Sequence, residues 1–102
     1  MSLFKWSPAF AFTASVAPKI PTGPGVFYLL ADESERSAVY IGAAKNLREE
    51  FYYELEQQRT VMRPKAHFFR FAETLQPSEG ATKLIDMHKR KFGKRPVLNS
   101  GF

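Results

Sequence analysis

The chain has 102 residues, of which 44% are hydrophobic and 15% aromatic, and its formal net charge is +5. This length suits one domain with one core, and the aromatic content excludes a disordered tail. The absence of cysteine excludes disulfides and thiolate metal sites, and no apolar run reaches the roughly 20 residues that span a bilayer. Because the first 15 residues also lack the pattern of a signal peptide, we expect a cytoplasmic protein with no membrane partner.

The basic residues are concentrated near the C-terminus. Between Ala81 and Pro96 the chain carries six lysines and arginines but only one acid, Asp86. This cluster is either a solvated helix face or a patch that contacts phosphates, since clustered cations gain affinity for nucleic acid by releasing counterions. Together with two cations nearer the middle of the chain, the candidate nucleic-acid-binding residues are Lys45, Arg48, Lys83, Lys89, Arg90, Lys91, Lys94 and Arg95.

Residues 1–23 are predicted to form an irregular N-terminal arm, rich in proline and phenylalanine, that packs on the domain. Its prolines interrupt any regular pattern, and its aromatic side chains need an apolar surface to cover them. The domain itself is predicted over residues 24–102. It opens with two strands, Val26–Leu30 and Ala38–Gly42, and the polar segment between them allows an antiparallel hairpin.

Helical spacing and end signals predict the remaining elements. Asn46 is suited to cap a helix that runs to about Gln58 with an apolar residue at every fourth position. Alternating apolar residues over 67–71 predict a third strand. Ser78 is suited to cap a second helix, which Gly93 is placed to end. Three strands and two helices predict an α+β domain with a small mixed sheet.

Four segments between Pro24 and Asn99 read PGVFYLL, VYIGAAKNLREEF, FRFAE and RPVLN in chain order. Together they resemble the GIY-YIG nuclease family, and YIGAAKNLR is the most specific of the pieces. The resemblance implies metal-dependent cleavage of phosphodiester bonds. In that family a tyrosine of the second motif helps to generate the nucleophile, an arginine on the next helix stabilises the phosphate, and a glutamate on a later helix holds one divalent cation, Mg²⁺ or Mn²⁺.

Position by position, the resemblance implies a degenerate active site. Tyr40 matches the tyrosine of the second motif, but the tyrosine of the first motif falls on Phe27, which has no hydroxyl group. Glu50 stands where the family has its arginine, and a carboxylate there would repel a phosphate. Arg48, two residues earlier, would face another side of the helix. Ala43 stands where the family often has a lysine.

The position of the family's metal-binding glutamate depends on how the last helix is aligned. Aligning the apolar pair of the last helix places it at Ala81, which cannot bind a cation, whereas a shifted register offers Glu79 or Asp86. Glu79 is the better of these two, although an acid in a first helical turn usually serves only the helix dipole. Asn99 in the closing segment is retained and implies a structural role.

Three functions are compatible with these residues. The first is a catalytically inactive GIY-YIG-like module that needs no cofactor and binds nucleic acid, DNA rather than RNA, or a protein partner. The second is a divergent endonuclease that uses Tyr40 and a metal ion, Mg²⁺ or Mn²⁺, held by Glu79 or else by Glu50. The third is a purely structural or protein-interaction domain, in which the basic cluster serves solubility.

Overall fold

Four strands and two α-helices make up the part of the chain that the computed structural model describes, residues 4–61 and 64–99. The strands are β1 (Phe10–Ala11), β2 (Gly25–Leu30), β3 (Ala38–Ala44) and β4 (Phe68–Glu73), and the helices are α1 (Leu47–Thr60) and α2 (Pro77–Phe92). Three short 3-10 helices cover Ala14–Lys19, Glu35–Ser37 and Val97–Asn99. Within the described ranges, no helix is both long and apolar enough to cross a membrane.

The strands form one antiparallel sheet in the order β1-β4-β2-β3. The predicted α+β class is confirmed, but the predicted three-stranded mixed sheet is wrong in both strand number and direction. The additional strand, β1, contributes only two residues, which is too few for an alternating pattern to be visible in the sequence. No parallel pair arises because β3 and β4 both run opposite to the central strand β2.

Strand β2 is buried along its whole length because a helix covers each face of the sheet. Phe27 and Leu29 face α1, whereas Val26, Tyr28 and Leu30 face α2. A strand that is buried on both sides has no solvent-facing positions, so its sequence is a continuous apolar run rather than an alternation. The two faces of β2 therefore belong to two separate core clusters.

The N-terminal arm packs on both of these clusters, as its aromatic residues predicted. Phe10 and Phe12 join the cluster on the α1 side, and Phe4 and Trp6 join the cluster on the α2 side. Between these pairs, β1 adds to the outer edge of β4. The arm thus passes around one edge of the sheet, which protects that edge from pairing with another chain.

The predicted cap of α1 is confirmed. The Asn46 side-chain oxygen accepts a hydrogen bond from the Glu49 amide at 3.1 Å. Leu47 and Phe51 are fully buried against the sheet. The helix runs to Thr60, two residues beyond the predicted end, because its last turn keeps its backbone hydrogen bonds as far as Val61.

The predicted N-cap of α2 is wrong by two residues, whereas the predicted end of the helix is confirmed. Pro77 is already the first helical residue, since its fixed φ and missing N–H suit that position. The N-cap is therefore Gln76, not Ser78, and its side chain makes no capping hydrogen bond. Gly93 ends the helix in the left-handed region, with φ of 84°.

Candidate nucleic-acid interface

A cleft of about 510 Å³ lies between the exposed side of α2 and the turn at Val97–Asn99. Three cations line it, Lys83, Lys89 and Arg95. Asp86 is the one acid in its lining, and its carboxylate lies 3.1 Å from Arg90 Nε in an exposed i, i+4 ion pair. In the described part of the chain, no carboxylate forms an ion pair with any of the three lining cations. Among the described residues, the lining of this cleft therefore carries more positive than negative charge.

The wall of this cleft opposite α2 is fixed to the sheet by Asn99. Its side-chain oxygen accepts from the Ile41 amide at 2.8 Å, and its side-chain nitrogen donates to the Ile41 carbonyl at 3.0 Å. Since Ile41 lies on β3, at the open edge of the sheet, this amide supplies the two hydrogen bonds that a further strand would make. The structural role implied for Asn99 has this physical basis.

The segment between α2 and Asn99 is held by His88, which is buried. His88 Nδ1 lies 2.9 Å from the Lys94 carbonyl oxygen. Because a carbonyl can only accept, Nδ1 is the protonated nitrogen of the ring. Nε2 is buried, and no described residue provides it with a hydrogen-bond partner. This bond positions the backbone just before Arg95 and so helps to aim that cation at the cleft.

The other predicted binding cations lie outside this cleft. Arg48 donates from Nε to the Ile20 carbonyl at 2.8 Å, so it fastens the arm to α1 rather than facing a ligand. Lys45 is exposed in the short connection between β3 and α1 and does not line the cleft. Lys94 is exposed after α2, close to Arg95. The structure thus brings together a subset of the predicted binding residues, which share the α2 side of the sheet.

A second cleft, of about 580 Å³, lies on the other flank of α2. It is bordered by Arg90 and Lys91, which the sequence singled out. Sequence reasoning missed the residues that complete it, Trp6 from the arm and Arg70 from β4. They are 64 positions apart in the chain, and nothing in a single sequence signals that the arm folds back onto this strand.

The two residues that match the family's tyrosines lie on the α1 side of the sheet. The rings of Phe27 and Tyr40 are 5.8 Å apart, and Phe27 is completely buried. Gly42 lies between them, and a Cβ atom added there would be 2.5 Å from the Phe27 ring. The motif glycine is therefore required by the close approach of these two rings.

Glu50, at the position of the family's arginine, interacts with a second carboxylate that the sequence reasoning did not consider. Burial, followed by a hydrogen bond with Glu54 and the charge of that neighbour, raises the pKa of Glu50 to about 7. Glu54 is only 4% exposed. The i, i+4 spacing of two acids was the available signal for this pair. The α1 position thus offers a carboxyl group, not a cation, to any phosphate near Tyr40.

Three of the residues considered for the metal site, Glu79, Ala81 and Asp86, lie on α2, whereas Glu50 lies on α1. Ala81 is buried in the α2-side core, and Ala43 packs partly against it. Glu79 is exposed in the first turn of α2. Tyr40 and Glu79 therefore lie on opposite faces of the sheet and do not form one cleft. The described ranges also contain no group of three His, Cys, Asp or Glu residues able to hold a metal ion. Ala81 has no ligand atom and Glu79 is separated from Tyr40 by the sheet, so these two positions do not fit the implied Mg²⁺ or Mn²⁺ site.

Comparisons with known proteins do not assign this chain to a family. A scan of protein-family models, a search of curated proteins and a search of solved structures each found no match. The likeness to GIY-YIG proteins thus remains a resemblance of sequence motifs.

Proposed function

We propose that this chain is a GIY-YIG-like module that binds nucleic acid without cleaving it. The observation that supports this function is the cleft beside α2, where Lys83, Lys89 and Arg95 converge without ion pairs to other described residues. Cations placed in this way bind successive phosphates and gain affinity by releasing the counterions that surround them. Such contacts position a backbone but do not read bases, so we expect binding that depends little on sequence.

The absence of cleavage in this proposal rests on the α1 side of the sheet. A tyrosine hydroxyl is missing at Phe27, and the pair of Glu50 and Glu54 occupies the place of a phosphate-stabilising cation. The alternative endonuclease would use Tyr40 with a metal ion held by Glu79 or else by Glu50. The sheet separates Tyr40 from Glu79, and the carboxyl group of Glu50 interacts with that of Glu54. The preference for DNA over RNA, the alternative of a protein partner and the cytoplasmic location stay predictions from the sequence.

The proposal predicts that binding follows the charge of this cleft. A variant that combines Lys83→Glu, Lys89→Glu and Arg95→Glu should bind a fluorescent DNA fragment much more weakly, measured by anisotropy across a salt series. The slope of log K against log salt should become shallower by about one for each phosphate that the variant no longer binds. The matched control reverses three exposed lysines elsewhere, Lys5→Glu, Lys19→Glu and Lys65→Glu, and should keep the slope of the native protein.

Two results would contradict the proposal. An equal decrease of affinity in the cleft variant and in the control would mean that total charge, not the cleft, determines binding. Nicking of supercoiled plasmid in the presence of Mg²⁺ or Mn²⁺ that Tyr40→Phe abolishes would favour the endonuclease. The same comparison of native protein and Tyr40→Phe should be made with branched DNA as the substrate.

A further inference from the structure

The second cleft combines an aromatic and a cationic lining. Trp6, Tyr28 and Met87 provide apolar surface. The charged lining consists of Arg70, Arg90, Lys91 and Glu35, with Lys91 paired to Glu35 and Arg90 paired to Asp86. Its volume of about 580 Å³ lies within the range of about 300–1,000 Å³ that is typical of sites for small organic ligands. A ligand that suits this cleft has a flat apolar part and a negatively charged part.

The aromatic wall consists of two tilted rings and one guanidinium group, with the Trp6 and Tyr28 ring planes 36° apart. The Trp6 and Tyr28 rings are 4.9 Å apart, and the Arg70 guanidinium lies 5.5 Å from the Trp6 ring centre. Arg70 is held in this position because its Nε donates to the Ser7 carbonyl at 3.0 Å. A planar ring that enters the cleft meets a fixed guanidinium plane backed by an indole, which is a surface on which nucleic-acid bases stack.

The polar groups of the cleft are arranged around one carboxylate, Glu35. The Tyr28 hydroxyl donates to it at 3.3 Å, and Lys91 Nζ lies 3.5 Å from its other oxygen. Burial raises the pKa of Tyr28, so the phenol keeps its proton and remains a donor. Each carboxylate oxygen retains capacity for a further hydrogen bond, such as one from an N–H group at the edge of a base.

The two clefts lie on opposite flanks of the same exposed helix face. Lys89 lines the first cleft, and Arg90, the next residue, lines the second. Consecutive helical residues point about 100° apart, so one strand of nucleic acid crossing α2 would contact both flanks. A duplex would contact the first cleft through its phosphates, but its paired bases are not free to enter the second.

We propose that the second cleft binds the base of an unpaired nucleotide, so that the module prefers single-stranded to double-stranded nucleic acid. This inference rests on the proposed function and specifies its ligand. Stacking of one base adds about tenfold or more in affinity, and it tolerates any sequence because every base has a flat face. An acidic peptide is the less suitable occupant, because its aspartate and glutamate side chains have no flat ring to place against Trp6 and Arg70.

Trp6 is the only tryptophan of the chain, so its fluorescence reports directly on this cleft. Thymidine 5′-monophosphate and a short oligothymidylate should each quench Trp6 emission to saturation. Anisotropy of an end-labelled oligothymidylate should give an affinity about tenfold tighter than that of a duplex of equal length.

Two matched variants locate the effect. Met87→Glu places a charge at a wall position that is 52% exposed, so the fold should tolerate it, and it should abolish the quenching and the preference for single strands. Leu75→Glu adds the same charge at a residue that is 91% exposed and lies outside the cleft, and it should leave both unchanged.

The outcomes separate this inference from the proposed function. Bound oligothymidylate without any change in Trp6 emission, or equal affinity for single strand and duplex, would overturn the inference but leave the charged cleft intact. If no oligonucleotide binds, the proposed function fails. Quenching by thymidine 5′-monophosphate that Met87→Glu removes would still support the binding of a base in the second cleft. Quenching by a glutamate-rich peptide but not by the nucleotide would overturn the base-binding inference in favour of a peptide site.

Discussion

Gly42 shows how a single motif residue is determined by its neighbour. A Cβ atom at this position would lie 2.5 Å from Phe27 and 2.7 Å from Tyr40, so Gly42→Ala should lower the free energy of unfolding by about 1–3 kcal/mol. Introducing Phe27→Leu first should reduce that decrease, because it removes part of the obstructing ring. Urea unfolding of the two single variants and the double variant measures this coupling.

Gly23→Ala is the control for the Gly42 substitution. A Cβ at Gly23 would meet only the end of the Glu73 side chain, at 3.8 Å, so we expect little change or a slight gain in stability. An equal decrease in stability from Gly42→Ala with and without Phe27→Leu would show that the Phe27 ring is not what excludes a side chain.

Glu50 should make the stability of the fold depend on pH. Burial and the neighbouring Glu54 raise the pKa of Glu50 from 4.5 to about 7, so in this interval the folded chain holds a proton that the unfolded chain has released. Folding stability should therefore fall as the pH rises from about 4.5 to about 7. Urea midpoints measured across this range should decline more for the native protein than for Glu50→Gln.

The exposed neighbour Glu49 provides the comparison for this pH series. Glu49→Gln removes the same charge from the same helical turn and should retain the decline of the native protein. A decline of the same size in Glu50→Gln would assign the pH dependence to other groups.

At the scale of elements, part of each edge of the sheet is paired with a segment that lies outside the motif strands. Two residues of β4 pair with β1, and at the edge of β3 the amide of Asn99 takes both backbone hydrogen bonds of Ile41. An open edge strand would be a template for pairing with another chain. Asn99 serves two purposes, because the turn that closes this edge also forms a wall of the cationic cleft.

Local signals in the sequence predicted both helices and the three longer strands, but neither β1 nor the arrangement of the elements. The Asn46 cap, the Gly93 stop and the apolar run of β2 each depend on neighbouring residues, so the sequence displays them. The separation of Tyr40 from Glu79 depends on which face of the sheet each helix covers, and helix periodicity does not contain that information. For the same reason, the sequence showed that basic residues are concentrated on α2, but it did not show that they are divided between two clefts.

At the scale of the whole molecule, we expect the arm to unfold cooperatively with the rest of the domain. Phe12 and Ile20 are buried on the α1 side, whereas Trp6 packs on the α2 side. Removing the arm would open both cores, so its undocking and the unfolding of the sheet should occur together.

Urea unfolding followed by Trp6 fluorescence reports the arm, and far-UV circular dichroism reports the helices and strands. The two curves should coincide, as expected for a two-state domain. A Trp6 transition at lower urea would instead make the arm a separable appendage, and the predicted boundary at residue 24 would then divide two folding units.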